Sequence, residues 1–127
     1  MNEDFAPFEL AVKLKEKGFN EPCYGYYHCN GGNDSFELCG NGDRDFQNSK
    51  NTFRVAAPAI SQVLRWLREE KKIHIVIGIW GRTWGYDVLN LPSGISLHWA
   101  AYDENINNYE QAAVAGISYV LDNLIKA

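Results

Sequence analysis

The chain holds three cysteines, one methionine, no excess of positive charge and no long apolar run. Each shortage excludes something. No stretch approaches the roughly 18 consecutive apolar residues that a membrane-spanning helix needs. Residues 1–17 carry Glu3, Asp4 and Glu9 and lack the basic start and unbroken apolar centre of a secretory signal, so no export and no membrane partner is expected. Cys23, Cys29 and Cys39 are an odd set, gathered in one third of the chain. Without a secretory signal they read as reduced thiols and not as a disulfide framework, which places the protein in the cytoplasm as an expectation. A net charge of −4, from 12 basic and 16 acidic side chains, supplies no global cationic surface to displace the counterions of nucleic acid, and no nucleic-acid partner is expected.

What is present suits a globular fold. With 127 residues, 46% hydrophobic, the chain is long enough for one α+β domain spanning residues 1–127. Pro7 to Lys17 reads as a helix, with Leu10 and Leu14 on one face, lysines in its last turn, and Gly18 placed for a left-handed cap. Residues 23–29 alternate as a strand. From 30 to 51 the composition turns to Gly, Asn and Asp, a long loop that admits only a short strand over Ser35–Cys39. Thr52–Ala56 returns as a strand. Ile60, Val63, Leu64 and Leu67 then mark one face of a second helix at i, i+3, i+4 and i+7, with Trp66 at the edge of that stripe.

The run from Ile73 to Tyr102 carries the strongest pattern. Ile73, Ile75, Ile77 and Ile79 alternate with His74, Val76, Gly78 and Trp80. A hairpin at Gly81–Thr83 and a turn at Pro92–Gly94 make this run a three-stranded antiparallel meander. A last helix opens at Asn107 or Asn108, with Glu110 or Gln111 three residues on, and buries Ala113, Ile117, Val120, Leu121 and Leu124. Gly116 on that face allows a close approach. The expected architecture is α+β: the meander over 73–102 plus N-terminal strands, with helices packed on one face.

Candidate chemistry is sparse. Cys23, His28, Cys29 and Cys39 have the number of soft ligands for zinc, but the gaps are long and His28 alternates away from Cys23 and Cys29. Small apolar filling is the simpler role for such thiols. Asn41, Asp43 and Asp45 begin like a calcium loop, yet Phe46 stands where glycine is needed and Thr52 where glutamate is needed. No metal or other cofactor is expected. Cys29 beside His28 does not make a thiol–imidazole pair, since adjacent strand residues point apart; Cys39 could meet His74 or His98, but nothing in the sequence requires it. Ser61, Ser93 and Ser96 lack a nucleophile-elbow context. The order helix, three strands, helix matches a double-stranded-RNA-binding domain in topology alone. Asn107, Asn108, Tyr109 and Glu110 stand where such a domain needs cations.

Three blocks resemble known sequences: Lys15–Tyr27 (KEKGFNEPCYGYY), Ala57–Ile77 (APAISQVLRWLREEKKIHIVI) and Tyr109–Ile125 (YEQAAVAGISYVLDNLI). Together they resemble a family of small uncharacterised proteins of gut Bacteroidetes and their phages or integrated elements. The resemblance covers a little under half the chain and is most specific in the middle block. It implies a bacterial cytoplasmic setting and a phage or mobile-element connection. Because that family has no assigned activity, no residue role carries over.

The remaining signal is the second face of the sheet. If Ile73–Ile79 and Ile95–Trp99 face the helices, then His74, Val76, Trp80, His98 and Tyr102 share the other side. Tyr86 or Asp87 joins them according to register. The expected binding surface is His74, Trp80, Tyr86, His98 and Tyr102. Covered by the N-terminal strands or the loop, it is a second core; open, it is a surface for a protein partner, and homodimerisation is the simplest use. The resulting expectation is a non-enzymatic binding or interaction module. The alternative is a small-ligand-binding protein or minor enzyme that uses His74, His98 and Tyr102, with 30–51 as a lid.

Overall fold

Gly18 ends the first helix as its position demands. In the computed structural model, which describes residues 5–28, 36–38, 46–48 and 54–125, α1 runs Phe8–Glu16 with Pro7 as its N-cap. Gly18 takes a φ of 92°, and the Phe19 N–H donates to the Leu14 carbonyl at 2.9 Å. A residue without Cβ accepts that left-handed turn freely, so the chain folds back and buries Phe19. The chain divides into two compact units, Met1–Ala59 with Ile125–Ala127, and Ile60–Leu124.

In the first unit, β1 (Gly25–His28) lies between β2 (Phe36–Leu38) and β3 (Arg54–Ala57), all antiparallel. Tyr27 stands opposite Phe36 and Val55 and faces α1. There it packs with Ala11, Val55 and Ala57, flanked by Phe8, Val12 and Phe36. Its hydroxyl donates to the Ala6 carbonyl at 2.8 Å, so burial leaves no polar atom stranded. Gly25 is required by crowding. A Cβ there would lie 2.8 Å from the Phe36 ring. Asn48, also buried, donates to the Phe19 carbonyl and accepts from the Ala56 N–H, both at 2.8 Å, tying the end of α1 to β3.

Cys23 is buried, bridges by backbone to Phe46, and donates its thiol to the Glu21 carbonyl at 3.3 Å. Cys29, Cys39, Asn41, Asp43 and Asp45, and the loop 30–51 apart from Phe36–Leu38 and Phe46–Asn48, lie outside the described residues.

In the second unit, α2 (Ile60–Glu70) precedes a meander of β4 (Ile73–Trp80), β5 (Thr83–Asn90) and β6 (Ser96–Ala100), ordered β4-β5-β6. α3 (Tyr109–Asn123) closes it. Asn108 caps α3 by accepting from the Gln111 N–H at 2.8 Å, and the Gln111 side chain accepts from the Asn107 N–H at 2.7 Å. Gly116 brings α3 against the sheet. A Cβ there would meet Ile75 Cγ2 at 3.0 Å and Tyr86 Cγ at 3.1 Å. Val63, Leu67, Val88, Ile117, Val120 and Leu121 are fully buried, each worth roughly 1.5–3 kcal/mol of transfer free energy. Trp66 is buried rather than marginal, and Leu124 is exposed rather than buried. The class is α+β as expected, but the N-terminal strands form a three-stranded sheet of their own, separate from the meander's.

Candidate functional site

Register decides which side chains share a face, and β6 does not keep a simple one. Val88 pairs with His98, while Leu89 pairs with Ser96. Leu97 is therefore an extra residue, and this bulge reverses the alternation along β6. Ser96 and Trp99 fall on the open face. His98 and Ala100 fall on the face that packs against α3. On β5, Tyr86 pairs with Ile77 and Asp87 with Val76, so Tyr86 faces the helix and Asp87 the open side.

The five residues expected to form one surface are thus divided. His74 and Trp80 lie on the open face, with Tyr102 at its margin. Tyr86 and His98 are on the opposite side. His98 stacks on Tyr119 of α3, centroids 3.7 Å apart and planes 7° from parallel, and its ring lies 5.8 Å from that of Tyr86. Burial foremost, then the neighbouring Tyr119 and Asp103, pushes the Tyr86 phenol upward from its ordinary pKa. Since His74 and His98 stand on opposite faces, a pocket built on both does not form. Trp99, expected to face the helices, belongs to the open side. The extra residue at Leu97 leaves no mark in composition or periodicity.

The open face is built around glycine. Gly78 and Gly85 are opposite each other at its centre. A Cβ on Gly78 would sit 3.6 Å from the Trp80 ring, so the indole lies back over the space Gly78 leaves. A Cβ on Gly85 would come within 2.3 Å of the Ala100 carbonyl. The chain leaving β6 crosses there and delivers Tyr102. Tyr102 holds a φ of 67°, unusual for a residue with a side chain, and its N–H donates to Thr83 Oγ1 at 2.8 Å. Its ring lies 3.3 Å from where a Gly81 Cβ would be.

The result is a chain of rings in contact. Trp80 and Trp99 meet at 6.1 Å and 85°, and Trp99 and Tyr102 at 6.0 Å and 80°. Trp99 is 46% exposed and Tyr102 64%, with Val76, Leu97 and Ile95 also exposed. Beside Trp99, the Asp87 carboxylate accepts from the Ser96 hydroxyl at 2.6 Å.

No family model, curated protein or solved structure matches this chain. The functional reading rests on geometry. No helix among the described residues is long and apolar enough to cross a membrane.

A second polar–aromatic group lies in the first unit, on the face of β1 away from α1. His28 meets the Glu37 carboxylate, and the Arg54 guanidinium lies 4.8 Å over the Tyr26 ring. Tyr26 also contacts Phe46 and His28. These rings and charges already occupy one another. The sequence pattern left Glu37 and Arg54 unremarked because their partners come from separate strands.

Proposed function

We propose that this chain is a non-enzymatic binding module whose working surface is the open face of the β4-β5-β6 sheet, used for association with a protein surface, first of all a second copy of itself. The observation that supports this is the contact chain Trp80–Trp99–Tyr102, with Trp99 and Tyr102 exposed, Trp80 lying against Gly78 and Tyr102 against Gly81. Large rings left in water are costly. Aromatic side chains at the centre of a patch are also what protein interfaces favour. Among the described residues β6 pairs with β5 alone, which leaves a sheet edge next to Leu97 and Trp99, a ready route to pairing with another strand. A bacterial cytoplasmic setting with a phage or mobile-element connection, implied by the sequence resemblance, forms part of the same proposal.

The test is solution mass by light scattering and sedimentation over a concentration series, for the wild type, Trp80→Ala and Trp99→Ala. Association that weakens at least ten-fold in both variants, with cooperative unfolding retained, supports the reading. A wild type that stays monomeric at all concentrations, or association indifferent to both substitutions, would overturn self-association through this face.

A further inference from the structure

Between Ile73 and Tyr102 the chain holds one carboxylate, Asp87, and one Lys or Arg, the Arg82 of the hairpin turn. The strands themselves carry no Lys or Arg. The carboxylate is on the open face, directly across the ladder from both Val76 and Trp99. It accepts a hydroxyl from Ser96 and takes part in no ion pair among the described residues. The open face thus combines a negative charge with the π faces of three aromatic side chains.

We infer that the corner formed by Trp80, Trp99 and Tyr102, with Asp87 beside it, is a site for an organic cation, a methylated ammonium group. Three features carry this. The rings succeed one another at 85° and 80°, not in parallel. Near-perpendicular rings present faces in different directions, as a compact, roughly spherical cation requires, whereas a flat sugar or base calls for coplanar platforms. Gly78 and Gly81 let two of the rings lie close to the backbone, with added Cβ atoms falling 3.6 Å from the Trp80 ring and 3.3 Å from the Tyr102 ring. The charge is also complementary: Asp87 lies on this face, in a chain of net charge −4. A methylated ammonium sheds water more readily than a bare one, so the attraction of ring faces and a nearby carboxylate outweighs its hydration more easily.

The inference rests on the open face being a binding surface, and not on a second copy being its occupant. A free choline-type molecule and a methylated lysine side chain present the same group. The experiment titrates choline into the full chain and follows the indole N–H resonances of Trp80 and Trp99 by NMR. The control is 3,3-dimethylbutan-1-ol, which has the same shape without the charge. Saturable shifts at both indoles with choline, at least ten-fold weaker with the neutral analogue, are expected. Asp87→Asn should weaken choline several-fold and Trp99→Ala should abolish the response. Trp99→Phe, which keeps a ring, guards against a folding failure and should retain part of it.

Equal response to choline and the neutral analogue, or none to choline, overturns the cation site. A peptide bearing trimethyllysine, compared with its unmethylated form, separates the two sources: preference for it over choline assigns the cation to a protein side chain, and parity to a free molecule. Mass measurements on the same samples keep the two ideas apart. Association lost in Trp99→Ala while choline has no effect removes the cation site and leaves the interface. Choline binding by a chain that never associates does the reverse.

Discussion

His98 lies flat on Tyr119, ring centroids 3.7 Å apart and planes 7° from parallel. The contact ties β6 to α3 and commits His98 to the interior side of the sheet. Stacked pairs of this kind contribute about 0.5–1.5 kcal/mol beyond the area they bury. His98→Ala should therefore lower the melting temperature while leaving association through the open face unchanged. A His98→Ala protein of wild-type stability, or one that loses association, would contradict this placement.

Gly85 admits no side chain. With the Ala100 carbonyl 2.3 Å from an added Cβ and the Ala101 Cα at 3.0 Å, backbone must move to accept alanine. Gly85→Ala should cost about 1–3 kcal/mol or more in denaturant unfolding, the range for forced overpacking. It should also displace Tyr102 and weaken whatever binds the open face. Gly94→Ala is the contrast: it adds the strain of a φ of 74° but meets no neighbour within 4 Å, so binding should persist.

Asn48 satisfies two buried backbone groups at once, the Phe19 carbonyl and the Ala56 N–H. Removing it takes a partner from each and leaves the Ala56 N–H without its side-chain acceptor, at a cost of about 1–3 kcal/mol. Asn48→Ala should destabilise the first unit. Hydrogen exchange would show the loss at Ala56 and its β3 neighbours before it shows at β5.

Tyr27 makes stability fall in alkali. Burial pushes its phenol above the ordinary value of 10.0, so the folded chain holds that proton more tightly than the unfolded one does. The contribution is complete below pH 10 and is lost as pH rises through the higher folded-state value. Tyr27→Phe removes the hydrogen bond to Ala6, worth about 1 kcal/mol. It should lower stability at neutral pH yet flatten the decline above pH 10. An unchanged alkaline slope in a pH series of urea melts would count against it.

How far the fold is legible from sequence depends on the range of the forces involved. Local rules suffice for the stop at Gly18 and the cap at Asn108, and for the three helices and the β4–β5 hairpin, because these follow from backbone freedom and apolar period over a few residues. The close approach at Gly116 is legible for the same reason: a glycine on an apolar helical face has few other uses. The binding surface is not legible in this way. His74 and Trp80 can be placed because β4 alternates without interruption. His98 and Trp99 are exchanged between faces by one extra residue, Leu97, whose identity does not announce a bulge. Tyr102 reaches the surface only because Gly85 lets the chain cross and Thr83 holds its left-handed backbone.

The sequence alone determined the elements and their amphipathic period, since each is set by neighbours along the chain. Tertiary structure alone decided which aromatic rings meet, which histidine is stacked against a helix and where the one carboxylate of the meander faces. Those outcomes depend on strand register, and register is fixed by contacts between residues distant in sequence, where a shift of one residue turns every side chain to the other face.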